Sequence, residues 1–96
     1  MFDNCYNNIF IGNLAGTANT TGTRNTFLGT SAGAAITTIN DNTFIGYNSG
    51  LSTTTGTRNT FLGVSTGTLN ASDDNVYIGY QAGNVSTTGI QNTFVG

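Results

Sequence analysis

The chain of 96 residues contains no histidine, lysine, glutamate, proline or tryptophan, one cysteine, and only two basic and four acidic side chains. Each absence removes a class of function. Without histidine there is no His-assisted serine or cysteine nucleophile, and without lysine there is neither amine catalysis nor the lysine of a phosphate-binding loop. A formal charge of −2, with Arg24 and Arg58 as the only cations, cannot neutralise a phosphate backbone, so nucleic acid is not an expected partner. The lone Cys5 excludes an intrachain disulfide and a thiol-rich metal site and leaves an intermolecular bond open. No apolar run approaches the ~20 residues that span a bilayer, so membrane insertion is not expected. The opening Met1-Phe2-Asp3-Asn4 lacks the basic and apolar regions of a signal peptide, so any export signal is expected outside these residues. Asp73 and Asp74 are the only adjacent carboxylates, and neighbours on a turn read as solvated corner charges rather than a glycosidase pair. No enzyme activity, cofactor or metal is expected.

What remains is glycine, threonine, asparagine and serine, with six phenylalanines and four tyrosines at regular places. Regular aromatics and low net charge argue against a disordered linker. The order comes from an internal repeat. NIFIGNLAG begins at Asn8, NTFLGTSAG at Asn25, NTFIGYNSG at Asn42, NTFLGVSTG at Asn59, NVYIGYQAG at Asn75, and NTFVG at Asn92. The starts lie 17 residues apart, except for one interval of 16 between Asn59 and Asn75. The shared pattern is Asn, a β-former, an aromatic, a branched aliphatic, Gly, two variable residues, a small residue and Gly.

Short runs of β-formers bounded by Asn and Gly are strands between turns, and frequent glycines without a 3.6-residue period exclude helix. The spacing therefore predicts an all-β chain: a parallel β-solenoid, or β-roll, with rungs of about 17 residues, forming one repeat region over 1–96. Gly12, Gly29, Gly46, Gly63, Gly79 and Gly96 predict a bend needing positive φ or close backbone approach, and Gly16, Gly33, Gly50, Gly67 and Gly83 predict a second. Between them, Ala15, Ala32, Ser49, Thr66 and Ala82 are small enough for a thin roll. Asn8, Asn25, Asn42, Asn59, Asn75 and Asn92 predict a structural ladder of stacked amides that also satisfies the local corner.

A longer period overlies the rung. TGTRNTFLG at 21–29 recurs at 55–63, so Arg24 and Arg58 alternate with Asp41 and Asp74 immediately before the asparagine. Stacked ~4.8 Å apart, these four residues predict a ladder of alternating charge that fixes register. An anion or calcium site is the functional alternative for them.

Two apolar ladders are adjacent along the chain. Phe10, Phe27, Phe44, Phe61, Tyr77 and Phe94 form one; Ile11, Leu28, Ile45, Leu62, Ile78 and Val95 form the other. Successive strand side chains point to opposite faces, so only one ladder enters the intrachain core. The other is left outside, where a long apolar stripe is an association surface. Self-association with further copies of the chain is therefore expected. The variable positions, above all Tyr47 and Tyr80, are candidates for contact with a receptor or glycan.

The six in-phase copies of N-T-F-[IL]-G-x-x-[AS]-G resemble the Asn-Ser-Val-Ala-Ile-Gly-x-x-Ser repeats of trimeric autotransporter adhesin heads. They are more similar still to the NTAIGYQAL-type repeats of phage and bacterial tail-fibre proteins. The likeness runs from Asn8 to Gly96. It implies a left-handed β-roll, three chains about one axis, and an extracellular attachment role on a virion tail or cell surface, with this chain a fragment of a longer fibre. The adhesin-head repeat is shorter than 17 residues, so its strand layout does not transfer directly. The pattern begins and ends without an obvious cap, which also suits a self-assembling filament subunit. A third reading is an ice-binding solenoid, in which Thr20-Thr21, Thr37-Thr38, Thr53 to Thr55 and Thr87-Thr88 stack as a hydroxyl array; the shortened turn Asn70-Ala71-Ser72-Asp73-Asp74 interrupts it. Three N-x-[ST] triplets begin at Asn19, Asn70 and Asn84, as expected by chance in such a composition.

Overall fold

Every strand of the repeat carries the same residue types at the same offsets, and the computed structural model shows what that periodicity builds. It describes residues 2–3, 7–85 and 87–96. Cys5, and with it the intermolecular disulfide option, lies outside the described residues. The strands are β1 (Phe2–Asp3), β2 (Asn8–Ile11), β3 (Thr26–Leu28), β4 (Thr43–Ile45), β5 (Thr60–Leu62), β6 (Val76–Ile78) and β7 (Thr93–Val95). They form one sheet in sequence order, and no helix is present among the described residues. From β2 to β7 every pair is parallel, with Phe10 opposite Phe27, Phe27 opposite Phe44, Phe44 opposite Phe61, Phe61 opposite Tyr77 and Tyr77 opposite Phe94. The chain is thus a parallel β-solenoid with 17-residue rungs, 32 Å in its longest dimension and 15 Å in its shortest. The repeat motif gave no sign of a cap, yet β1 pairs antiparallel with β2, Phe2 against Ile9 and Asp3 against Asn8, and covers that edge of the sheet.

Alternation along β2 to β6 decides which ladder is inside, whereas in the terminal β7 Phe94 is exposed. Phe10, Phe27, Phe44, Phe61 and Tyr77 are buried, whereas Ile11, Leu28, Leu62, Ile78 and Val95 are exposed. The rings stack with centroids 4.6–5.0 Å apart and planes within 11° of parallel. That spacing matches the distance between hydrogen-bonded strands, so one ring per rung fills the roll without a gap. Burying each ring contributes about 2–3 kcal/mol.

The glycines make room for these rings. Gly33 sits at φ +57°, and a Cβ there would lie 2.6 Å from the Phe27 ring. The first glycine column answers a different constraint: a Cβ on Gly29, at φ +133°, would lie 2.7 Å from the Gly46 carbonyl oxygen of the next rung. Ala15, Ala32, Ser49, Thr66 and Ala82 are buried beside the ring column, as their size requires.

The shortened interval is absorbed entirely in a turn. Thr60 still pairs with Val76 and Phe61 with Tyr77, so sheet register survives the missing residue. Ser72 takes the place held elsewhere by Gly22, Ile39 and Gly56, and its carbonyl accepts from both Asn59 (2.9 Å) and Asn70 (2.7 Å).

Candidate functional site

Three surfaces bear on function: the inner asparagine column, the charged corner before it, and the outer face of the sheet with the corner that follows. Asn8, Asn25, Asn42, Asn59 and Asn75 are buried, so they present nothing to a ligand. Each side-chain oxygen accepts the backbone N–H of the asparagine one rung on, at 2.8–2.9 Å, from Asn8 to Asn25 and so on through Asn75 to Asn92. Each side-chain N–H₂ closes its own rung by donating to a carbonyl 13 or 14 residues later: Gly22, Ile39, Gly56, Ser72 and Gly89. The ladder is structural, but its inter-rung bond runs from backbone to amide, not from amide to amide. A backbone donor is fixed by the rung itself, which makes it the better-placed partner.

The charged corner resolves into two pairs. Arg24 Nε donates to Asp41 Oδ1 at 2.6 Å and Nη2 to Oδ2 at 3.1 Å; Arg58 and Asp74 repeat both distances. Bidentate bonding to Arg24 holds the Asp41 carboxyl below the usual carboxylate range, and Arg58 does the same to Asp74. Asp41 approaches Arg58 without forming an ion pair among the described residues, so the expected continuous ladder is instead a two-rung clasp used twice. All four residues have positive φ, between 55° and 63°. Their arginine and carboxylate groups are mutually satisfied, and no cluster of His, Cys, Asp or Glu suited to a metal occurs among the described residues.

Sequence reasoning missed the column next to it. Thr23 donates its backbone N–H (2.8 Å) and hydroxyl (3.0 Å) to Asn40 Oδ1, and Thr57 donates likewise to Asp73 Oδ1 (2.8 and 3.2 Å). Asp73 is therefore an inter-rung acceptor, not a free corner charge. The alternation of Thr23, Asn40, Thr57 and Asp73 beside Arg24, Asp41, Arg58 and Asp74 was the available signal.

The threonine turns divide: Thr21, Thr37, Thr38, Thr54, Thr87 and Thr88 are exposed, whereas three others turn their hydroxyls onto backbone carbonyls. Thr53 is buried with its hydroxyl on the Gly67 carbonyl, while Thr20 and Thr55 donate to the carbonyls of Thr37 and Ala71 on the next rung. Of the N-x-[ST] asparagines, Asn70 is buried and its amide is engaged within the rung.

The outer face of the sheet is exposed and apolar. Ile11, Leu28, Leu62 and Ile78 are 37–49% exposed and run up the sheet in register. Past the first glycine, the next column is Asn13, Thr30, Tyr47, Val64 and Tyr80. Ladder bonds keep it in register, from Asn13 O to Ser31 N, Thr30 O to Asn48 N, Tyr47 O to Ser65 N and Val64 O to Gln81 N. Tyr47 is 54% and Tyr80 65% exposed. No pocket is present among the described residues.

This geometry defines a parallel β-solenoid with a closed aromatic core and an apolar outer stripe. No protein-family model, curated protein or solved structure is significantly similar to the chain.

Proposed function

We propose that the chain is a structural and attachment segment of a trimeric extracellular fibre, wound left-handedly, with three solenoids packed around one axis through the outer aliphatic ladder. The observation that carries this reading is the exposed, in-register stripe of Ile11, Leu28, Leu62, Ile78 and Val95 on the face opposite the phenylalanine stack. An apolar column of this length on one side of a narrow solenoid favours association with copies of itself, since identical rungs present identical stripes. Sequestering the aromatic ladder leaves the aliphatic one as the association surface. The absence of histidine and lysine, with all four charged corner residues paired, supports a mechanical role in place of a catalytic one. The similarity of the N-T-F-[IL]-G repeats to tail-fibre and adhesin-head repeats supports placing the fibre on a virion tail or a cell surface.

Sedimentation equilibrium of the chain is the direct test. A mass of three chains, with β-type circular dichroism, is expected; a folded species that stays monomeric at high concentration refutes the trimer.

A further inference from the structure

The column that follows the outer ladder carries aromatic rings on alternate rungs. We propose that Tyr47 and Tyr80, with Val64 between them, form a binding track for an uncharged β-1,4-linked glycan chain lying along the solenoid axis. The proposal rests on the attachment half of the reading above and is independent of the trimer.

Four observations carry it. First, the ladder bonds place the three residues in one vertical column, with Tyr47 O accepting from Ser65 N at 2.8 Å and Val64 O from Gln81 N at 2.9 Å. Second, the backbone is the same shape at both tyrosines. Gly46 and Gly79 precede them at φ +133° and +125°, and Asn48 and Gln81 follow at φ 58° and 57°. Both side chains therefore leave the corner along the same Cα–Cβ direction. Third, the rings are exposed, although tyrosine carries apolar area that is normally covered. Fourth, the surroundings are uncharged. The preceding column is glycine with the aliphatic ladder before it, and the following one is Leu14, Ser31, Asn48, Ser65 and Gln81, while the arginines and aspartates stand at the other end of the strands. The Asn48 and Gln81 side-chain amides make no hydrogen bond to any described residue, and so are free to meet sugar hydroxyls.

The spacing identifies the ligand class. The rungs are separated by 4.6 Å and 4.9 Å at the Phe44, Phe61 and Tyr77 rings, which puts the two tyrosines ~9.5 Å apart along the axis. In an extended β-1,4-linked pyranose chain, each sugar advances by about one rung height and is turned over relative to its neighbour. Every second sugar thus presents the same ring face, and consecutive equivalent faces meet Tyr47 and Tyr80 while the sugar between them lies over Val64. A helical β-1,3-linked chain or a flexible α-1,6-linked chain does not keep that repeat.

The test is depletion of the whole chain from solution by microcrystalline cellulose and by chitin, with β-1,3-glucan and cross-linked dextran as comparison solids. Binding to at least one β-1,4-linked solid and not to the comparison solids is expected. Y47A and Y80A should each weaken it roughly tenfold, the scale of one aromatic contact. The decisive variant is V64Y/Y80V, which keeps two tyrosines but sets them one rung apart; it should bind as weakly as Y80A. No depletion by either β-1,4-linked solid overturns the proposal, as does wild-type binding by V64Y/Y80V. Melting curves verify that each variant is folded, and the mass of each is measured on the same samples. A three-chain species that fails to bind refutes the glycan track alone, whereas a monomer that binds with the expected variant pattern upholds it while refuting the trimer.

Discussion

Replacing Asn42 with leucine isolates what one asparagine does for the solenoid. The side chain is fully buried; its oxygen accepts from Asn59 N at 2.9 Å, and its amide donates to Gly56 O and Asn40 O, both at 3.1 Å. Leucine is similar in size but offers neither function. Asn40 is partly exposed and can turn to water, whereas Asn59 N–H and Gly56 C=O lie at buried residues. Two orphaned buried groups cost about 1–3 kcal/mol each. The added apolar burial of leucine returns about 1 kcal/mol, leaving a net loss of about 3 kcal/mol. Urea denaturation followed by circular dichroism measures it, with the exposed Thr54→Leu as a control expected within ~0.5 kcal/mol of wild type. Asn42→Asp sharpens the test. It keeps the acceptor for Asn59 but turns a carboxylate toward two carbonyls, so its folded-state pKa is raised. Its penalty is then greatest at neutral pH and shrinks on acidification, relative to wild type at the same pH, whereas that of Asn42→Leu does not. A loss below 1 kcal/mol for Asn42→Leu refutes the assignment of these asparagines as rung staples.

Two other perturbations follow from the same geometry. Gly33→Ala combines a left-handed backbone with a Cβ 2.6 Å from the Phe27 ring, and should lower stability by about 2–4 kcal/mol; a melting temperature equal to wild type contradicts the ring-against-glycine packing. For the corner clasps, Asp41 and Asp74 have pKa values depressed by Arg24 and Arg58, so their contribution is complete above the ordinary carboxylate value near 4 and is lost as pH falls through the lowered value. Thermal melts from pH 7 to pH 2 should show this acid loss in wild type and a shallower one in D41N/D74N; identical profiles contradict it. High salt should reduce the difference, because both pairs face solvent.

Much of this architecture is legible in the residues, for identifiable reasons. The rung length, the strand positions and the opposition of the two apolar ladders follow from six copies of one motif and the two-residue period of a strand. Which ladder turns inward was less plain, since Phe27 and Leu28 are both apolar. The deciding residues are Gly33 and Ala32, which leave room for a flat ring and would leave a void around leucine. The Asn ladder was visible, but its partners depend on a carbonyl 13 or 14 residues further on, brought back only when the rung closes. The backbone at Leu14 and Arg24 was hidden: both have positive φ, which leucine and arginine disfavour. Their equivalents Asn48 and Asp41 are residue types that tolerate it, and only comparison between copies reveals the shared conformation. The outward column of Tyr47 and Tyr80 was legible as a candidate surface; its two-rung register needed the ladder bonds.

In the proposed fibre the aromatic ladder closes each chain and the aliphatic ladder joins chains. A crystallographic map of the assembled species tests it most directly. Three solenoids around one axis are expected, with Leu28 and Leu62 facing that axis and the Phe27, Phe44 and Phe61 rings stacked inside each chain. Solenoids packed through any other face, or an isolated chain with Leu28 and Leu62 in solvent, would contradict it.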